Sequence, residues 1–510
     1  MKLVKREVVA DKSIAFSDVR SYYERNLHPD VLDLDDQHVY KHIYHDGRFA
    51  GVFQFTQRGV QRFIKDVKPT NVTDIATVTS IYRPGPLVAK VDDLYIDAKS
   101  NPESVVYEHP LVKKCLEETY GCIIFQESIM SLGHVVGGLS LEETDKLRKV
   151  ITKRSVSGAS KAKEDALKLE KKFIEGAVKN GLSEKQAIDL FEKISFFSGY
   201  GFNKSHALSY AIDSYMCAWL LTYFEPEWLC AYIETQAGIA DKRADALAEL
   251  KSLGYRIVNI DINHATDRWT IMPGKQFMPS FLTVKGMGEK AIEEVELNRP
   301  YKTVDDLLYH PDGKWKHSKF NKRAMEALIQ LRAFGSMELV GEGKPFKSFK
   351  QMHVCVIEEQ AKIKHVKRGR AELAARMLAQ GDEEWTKGEL LAMSKELLGT
   401  ADIDLILSQA LRDKLEGLNV PCIDDLVTKK GLAWFIADEV TLKSTKNGKP
   451  YLKVVAVGMK GKRYNVNVWS FDPAKHSVPT NTAFVAELDS NPPWGFSTTI
   501  WKVKCLGEKQ

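Results

Sequence analysis

The run Gly199-Tyr200-Gly201-Phe202-Asn203-Lys204-Ser205-His206-Ala207 combines residue types suited to holding an anion. Two glycines permit a tight entry, and Asn203 is placed to cap a helix that follows. Helical spacing sets Asn203, His206 or Ala207, and Tyr210 on one face. Free N–H groups and the dipole at such a helix start both favour negative charge. Lys204 adds a point charge for phosphate, and Ser205 a hydroxyl. A polar helix start around a satisfied core histidine is the plainer account of the same residues.

Leu147-Arg148-Lys149-Val150-Ile151-Thr152-Lys153-Arg154 is a second cluster. Lys149 and Lys153 are four apart, as are Val150 and Arg154, so on a helix the charges cover more than half its girth. Like charges this dense repel, which a polyphosphate or a DNA backbone relieves; a solvated basic face is the bland alternative. A third segment, Val284-Lys285-Gly286-Met287-Gly288-Glu289-Lys290-Ala291, has an apolar-Gly-apolar-Gly turn before a small residue. Its glycines let backbone N–H groups approach a phosphate, and a helix beginning there points its N terminus at the same anion. This is a helix-hairpin-helix pattern, with a plain glycine-rich connection as the alternative. Farther on, Lys362-Ile363-Lys364-His365-Val366-Lys367-Arg368-Gly369-Arg370 is a basic run, either a solvated helix face or a phosphate-contacting segment.

Elements must hold these segments in place. Residues 51–236 show mostly helical periodicity broken by turns. Tyr82-Arg83-Pro84-Gly85-Pro86 is expected to be a turn, because both prolines fix φ and lack donors. A helix over 141–154 is expected behind Ser140, with Glu143 completing a capping box. Another over 163–180 stops at Gly181. Residues 254–285 change to short β-type runs such as 255–258, and helix returns over 284–296. Residues 342–430 are highly charged and largely helical. From Trp434 the chain is β, with five short strands over 434–440, 451–457, 464–469, 483–488 and 498–503. Asn447-Gly448 between the first two is a hairpin signal. Five strands in so short a span suit an OB barrel, with a small sandwich as the alternative.

With 510 residues, 44% of them hydrophobic, the chain can bury several cores. No run of 18 apolar residues exists to span a membrane, and residues 1–13 have no apolar stretch of a secretory signal. The seven cysteines are scattered and form no CxxC pair, which suits reduced thiols in the cytoplasm. A net charge of +5 is too weak to prove nucleic-acid binding, so local patches carry more weight than the sum.

From Gly51 onward the sequence resembles the alpha subunit of bacterial DNA polymerase III, a C-family replicative polymerase. The blocks are Val52-Phe53-Gln54-Phe55 with Arg58-Gly59, then Tyr82-Arg83-Pro84-Gly85-Pro86-Leu87, then Thr119-Tyr120-Gly121 with Gln126-Glu127 and Met130. Leu147-Arg148-Lys149 with Lys153, Glu175-Gly176-Ala177 with Lys179-Asn180-Gly181, and Gly199 to His206 follow in the family's order. So do Asp261-Ile262-Asn263, Lys285-Gly286-Met287-Gly288 and Ala333-Phe334-Gly335. The resemblance is strong over 34–340 and weak over 430–470. It implies a multidomain, mainly α protein of polymerase fingers and helix-hairpin-helix, with a C-terminal β-barrel (OB-fold). The expected divisions are an N-terminal segment over 1–45, fingers over 46–236, the helix-hairpin-helix domain over 237–340, a charged helical connector over 341–429 and the barrel over 430–510. Carried over residue by residue, Arg83, Arg148, Lys149, Lys153, Asn203, Lys204, Ser205 and His206 are the nucleotide-binding candidates. Lys285, Gly286, Gly288 and Lys290 are the DNA-binding ones.

The resemblance also implies a palm with three carboxylates that bind Mg²⁺, two of them in a Pro-Asp-x-Asp-x-Asp block upstream of the matched segment. Pro29-Asp30-Val31-Leu32-Asp33-Leu34-Asp35-Asp36 looks similar, but Leu34-Asp35-Asp36 falls where the family has a turn opening the fingers. No catalytic residue is therefore assigned in this chain, and the family's N-terminal phosphoesterase-like domain has no counterpart either. No Gln-x-x-Leu/Met-x-Phe peptide for a sliding clamp follows residue 340. The expectation is a component of a DNA-directed DNA polymerase that binds dNTP and primer-template DNA and is inactive alone. A separate palm subunit would complete it and hold most of the Mg²⁺. A non-catalytic DNA-binding accessory of replication is the alternative.

Overall fold

The sequence supplies its own helix caps. Ser140 N–H donates to Glu143 Oε2 at 2.9 Å and Glu143 N–H to Ser140 Oγ at 3.3 Å, the reciprocal capping box. Asn203 Oδ1 accepts from His206 N–H at 2.8 Å. The computed structural model describes residues 30–156, 160–198, 200–236, 240–398, 409–426, 429–459, 462–490 and 495–506, with isolated positions before 30 and at 407. The side chains at 150–165 and at a few helix ends lie outside the described residues. The chain divides into two units, Met1–Trp228 and Leu229–Gln510.

The first unit is helical. Its principal elements for the site are α1 (Val72–Ile81), α2 (Pro84–Val88), α3 (Gln126–Ser131), α4 (Leu141–Val156), α5 (Ser160–Lys179), α6 (Glu184–Ser198) and α7 (Lys204–Tyr223). Helix α7 packs along α1. Around its Tyr215 and Ser214 lies a buried aromatic group of Tyr40, Tyr44, Phe49 and Phe55, tied by the Tyr44 hydroxyl against Ser214 Oγ at 3.0 Å. A second core of Val112, Leu132, Leu147, Phe173 and Phe191 is shared among α4, α5 and α6. The expected turn at Tyr82 to Pro86 is instead the start of α2, with Arg83 at the N-cap and Pro84 first in the helix. Proline there removes an N–H that the first turn leaves unpaired anyway, so two prolines open a helix rather than forbid one.

The second unit begins with the end of the helix Glu225–Gln236 and the helix Ala240–Ser252, followed by a three-stranded sheet of Arg256–Ile257, Gln276–Met278 and Thr270–Met272. There follow α8 (Glu289–Leu297), α9 (Val304–Leu308), α10 (Lys322–Gln330), α11 (Phe349–Ile357), α12 (Gly369–Ala379) and α13 (Lys387–Leu398). One core runs through all of them, from Ile260 through Phe334 and Met352 to Leu397. The helix expected over 284–296 starts only at Glu289, because Gly286 adopts φ +106° and holds 284–288 as a turn. His317 is fully enclosed here, with Nε2 on Leu307 O at 2.7 Å. Burial pushes its pKa down to about 4, despite the carbonyl and Glu294 pulling the other way. The neutral ring is therefore favoured in the folded state. Its contribution is complete above the unfolded value of about 6.5 and is lost as pH falls toward 4, up to about 3 kcal/mol for that interval. Melting curves from pH 7 to 4 should show that loss, and His317→Gln should flatten it; an unchanged pH profile in the variant would refute the assignment.

The C-terminal strands β1 (Lys430–Ser444), β2 (Pro450–Val457), β3 (Arg463–Trp469), β4 (Thr482–Ser490) and β5 (Phe496–Thr499) close into a barrel. Neighbours run β1-β2-β3-β5-β4 and back to β1; only β3 and β5 are parallel. This ring is the five-stranded OB arrangement. Strand β1 is longer than expected because it serves two partners, β4 over Lys430 to Ala437 and β2 over Ile436 to Ser444, with a bulge at Ala437/Glu439. The Asn447-Gly448 turn joins β1 and β2, with Gly448 at φ +74°. Among the described residues no helix is long and apolar enough to cross a membrane. Burial raises the Cys122 and Cys355 thiols to about 11 and Cys422 to about 12, so these thiols stay protonated and inert at neutral pH.

Candidate functional site

The first-unit candidates are assembled on one backbone junction. Gln126 N–H donates to Phe202 O at 2.8 Å, and Phe202 N–H donates to Ile124 O at 3.0 Å, so the chain before α3 lies beside the chain before α7. Gln126 Nε2 adds a bond to Gly201 O at 3.1 Å. Arg148 on α4 donates through Nη1 to Gln126 Oε1 at 2.9 Å. From the other side, Arg83 donates to Tyr200 O at 2.7 Å and to Ser80 O at 3.0 Å, with its guanidinium 4.5 Å from the centre of the Phe202 ring. Gly85 makes room for this approach, since a Cβ there would lie 2.4 Å from Tyr200 Cδ1. Arg83, Arg148 and the start of α7 therefore surround the 200–203 turn.

The charges around that turn are unequally matched. Asp145 binds both Arg148, at 2.8 Å, and Lys149, at 2.5 Å. Lys149 first and Arg148 second hold its carboxyl below the usual range. Lys204 Nζ pairs with Glu118, and Lys204 N–H donates to Glu127 Oε2 at 2.8 Å. Glu127 Oε1 also receives Asn203 Nδ2 at 2.9 Å, and Ser205 Oγ donates to Asn203 Oδ1 at 2.8 Å. A carboxylate thus already occupies the anion position at the start of α7. Arg83, bound only to carbonyl oxygens and an aromatic face, has no carboxylate partner among the described residues, and partial burial lowers its pKa. The His206 ring lies 4.4 Å from Tyr210, tilted by 51°, and Tyr210 lies 5.2 Å from Phe53, tilted by 34°; all three are exposed beside the cations. Ala207, on the same turn, is buried. The Lys153 and Arg154 side chains lie outside the described residues.

Sequence reasoning missed the carboxylates Asp145, Glu118 and Glu127. Asp145 was detectable, because it sits three and four positions before Arg148 and Lys149 on one helix. Glu118 and Glu127 come from distant segments, and no local spacing announces their contact with α7.

In the second unit, Gly288 is the N-cap of α8 with no side-chain cap bond, so the first N–H groups of α8 have no side-chain acceptor. A Cβ on Gly288 would meet nothing within 4 Å, whereas one on Gly286 would lie 3.2 Å from Arg323 Cγ. Lys290 is exposed. Lys285 is partly committed elsewhere: its N–H donates to Leu397 O at 2.9 Å and its Nζ lies 3.3 Å from Glu396. On the barrel, Trp434 belongs to the core, and the Tyr464 hydroxyl is bound to Asp424 at 3.1 Å. Tyr451 and Trp469 instead lie together outside the core, centroids 4.6 Å apart and tilted by 32°, with Tyr451 half-buried and Trp469 37% exposed. Lys443 lies opposite Tyr451 and Lys453 opposite Asn467, on the same face.

The carboxylates before the fingers have other tasks. Asp33 Oδ1 accepts from Asp35 N–H at 3.0 Å; Asp36 caps the helix Gln37–Val39 and accepts the Tyr223 hydroxyl at 2.6 Å. Among the described residues no group of three or more His, Cys, Asp or Glu could hold a metal ion. The residues of this site do not fit the Mg²⁺ pair expected of a palm.

The described chain thus combines a helical unit whose cations converge on one turn with a second unit that carries a hairpin turn before α8 and a five-stranded barrel. Residues 13–181 match the bacterial DNA polymerase III alpha subunit finger domain, and residues 254–342 match a helix-hairpin-helix motif. The chain is similar to DNA polymerase III subunit alpha of Aquifex aeolicus, 34% identical over 304 residues, covering 59% of this chain and 25% of that protein. It is also similar to the subunit of Borreliella burgdorferi, 28% identical over 447 residues, covering 84% of this chain and 37% of that one. Over these matched regions the chain is DNA polymerase III alpha-like. It spans about a quarter of the length of the Aquifex relative.

Proposed function

We propose that this chain is the nucleotide- and DNA-binding component of a cytoplasmic replicative DNA polymerase, completed by a palm that lies on a separate polypeptide. The carrying observation is the convergence of Arg83, Arg148 and the Asn203-Lys204-Ser205-His206 helix start on one turn. Phosphoryl transfer depends mainly on positioning and on charge stabilisation of the triphosphate, and fixed cations supply both. His206 and Tyr210 offer rings for the base, and Lys149 extends the cationic side. A palm would bring the carboxylates to hold Mg²⁺, whose charge would stabilise the transferring phosphate. Titration of a deoxynucleoside triphosphate into the chain tests this. Binding is expected; none at millimolar concentration would leave the second reading, a DNA-binding accessory, which the uncapped hairpin and the aromatic pair on the barrel support without any nucleotide.

The hairpin and the barrel divide the DNA. The N–H groups after Gly288 suit a duplex phosphate and read no sequence, whereas Tyr451 and Trp469 suit stacking on single-stranded template bases. Trp469→Ala should weaken single-strand binding by about 1–3 kcal/mol and leave duplex binding nearly unchanged. Gly288→Val, sterically free in the protein alone, should do the reverse by filling the space a phosphate needs. Fluorescence anisotropy on both DNA forms distinguishes them, and equal losses on both forms for both variants would refute the division.

A further inference from the structure

The basic run at 362–370 folds as a tight turn against a second turn. Tyr309 hydroxyl donates to Ile363 O at 2.9 Å, Lys364 Nζ sits 4.8 Å over the Trp315 ring, and Val366 O lies against Gly313. The second turn is closed by His310 N–H on Lys314 O at 2.8 Å. His310, Lys314, His365, Lys367 and Arg368 are exposed. The acidic groups nearby are already engaged: Asp312 with Lys314 at 2.9 Å, Glu359 with Lys362 and with Arg376, and Glu342 facing Arg370 at 3.8 Å. Among the described residues no carboxylate pairs with Lys364, Lys367 or Arg368. Three uncompensated cations on one fixed turn repel each other, and water alone screens them. Helix α12 begins at the same place without a side-chain cap, adding the positive end of its dipole.

We infer that the 310–316 and 362–368 turns form a second phosphate-binding surface that takes the backbone of duplex DNA, an inference that rests on the DNA-binding reading above. The Tyr309 and Trp315 contacts join it to the helix-hairpin-helix unit, which ends at residue 342. Its cations track a phosphate backbone. Its large ring, Trp315, is half-buried beneath Lys364 and not open to unpaired bases, which leaves only the imidazoles of His310 and His365 exposed among cations that suit a backbone.

The test is the Lys367→Gln/Arg368→Gln double variant of the full chain, both positions being exposed and unpaired, with a thermal melt to show an unchanged fold. Duplex binding is measured from 50 to 200 mM salt. Each lost phosphate contact lowers the slope of log K against log salt by about 0.9, so two contacts lower it by about 1.8. The wild-type advantage should then shrink about tenfold across that range, with single-strand binding changed much less. Wild-type duplex binding with an identical slope in the variant would overturn this surface while leaving the DNA-binding reading intact. Equal losses on single strand and duplex would overturn the assignment to duplex. Absence of duplex binding by the wild type would fell the underlying reading and this inference with it.

Discussion

In a primer-extension assay with Mg²⁺ and all four deoxynucleoside triphosphates, the purified 510-residue chain should add no nucleotide, and a palm bearing the Pro-Asp-x-Asp-x-Asp block should restore extension. In-line displacement needs metal ions on both the attacking and leaving oxygens, and those ions need clustered carboxylates. The local candidates are otherwise engaged: Asp33 closes its own turn, and Asp36 caps a helix and holds Tyr223. Freeing Asp36 for a metal would undo both contacts. Extension by this chain alone, abolished by Asp33→Asn or Asp35→Asn, would overturn the proposal.

The second large effect concerns nucleotide affinity. Arg148→Ala removes a cation from the turn, and charge-assisted hydrogen bonds of this kind contribute about 1.5–3 kcal/mol. Deoxynucleoside triphosphate binding should weaken by about 10- to 150-fold. Arg83→Ala should weaken it comparably and lower the melting temperature as well, because Arg83 also anchors Tyr200 and covers Phe202. Glu127→Gln should shift affinity the other way. Its carboxylate occupies the start of α7 and competes with an incoming phosphate, so an uncharged amide competes less. Isothermal titration reads all three variants. Arg148→Ala within twofold of the wild type, or Glu127→Gln weaker than wild type, would remove the triphosphate from this turn.

What was legible depended on how local the signal is. Caps at Ser140 and Asn203 and the Asn447-Gly448 turn are set by neighbours within a few residues, and they appear where expected. The prolines at 84 and 86 misled because the same φ restriction serves a turn and a first helical turn alike. Among the barrel aromatics, alternation could separate faces, yet it could not say that Trp434 faces the core while Trp469 faces out; closure of the sheet decides that. The convergence of Arg83, Arg148 and Asn203 could be expected only from the resemblance, because their three segments share no local pattern. Glu118 and Glu127 were invisible for the same reason, whereas Asp145 lies within one helical turn of its partners.

The junction of Gln126 with Gly201 has a consequence for the birth of the protein. The two residues are 75 positions apart, so the ends of a long loop must meet before the turn exists. Closing such a loop costs about 4 kcal/mol of chain entropy before any contact offsets it. Helices α5 and α6, which lie between, shorten that search once they pack, and contacts this distant form slowly relative to local ones. A ribosome that has released only the first 181 residues has made the whole finger-domain match but none of the 200–203 strand partner. The nascent chain therefore completes the 200–203 turn only when the start of α7 emerges, after every other helix packed around that turn has been made.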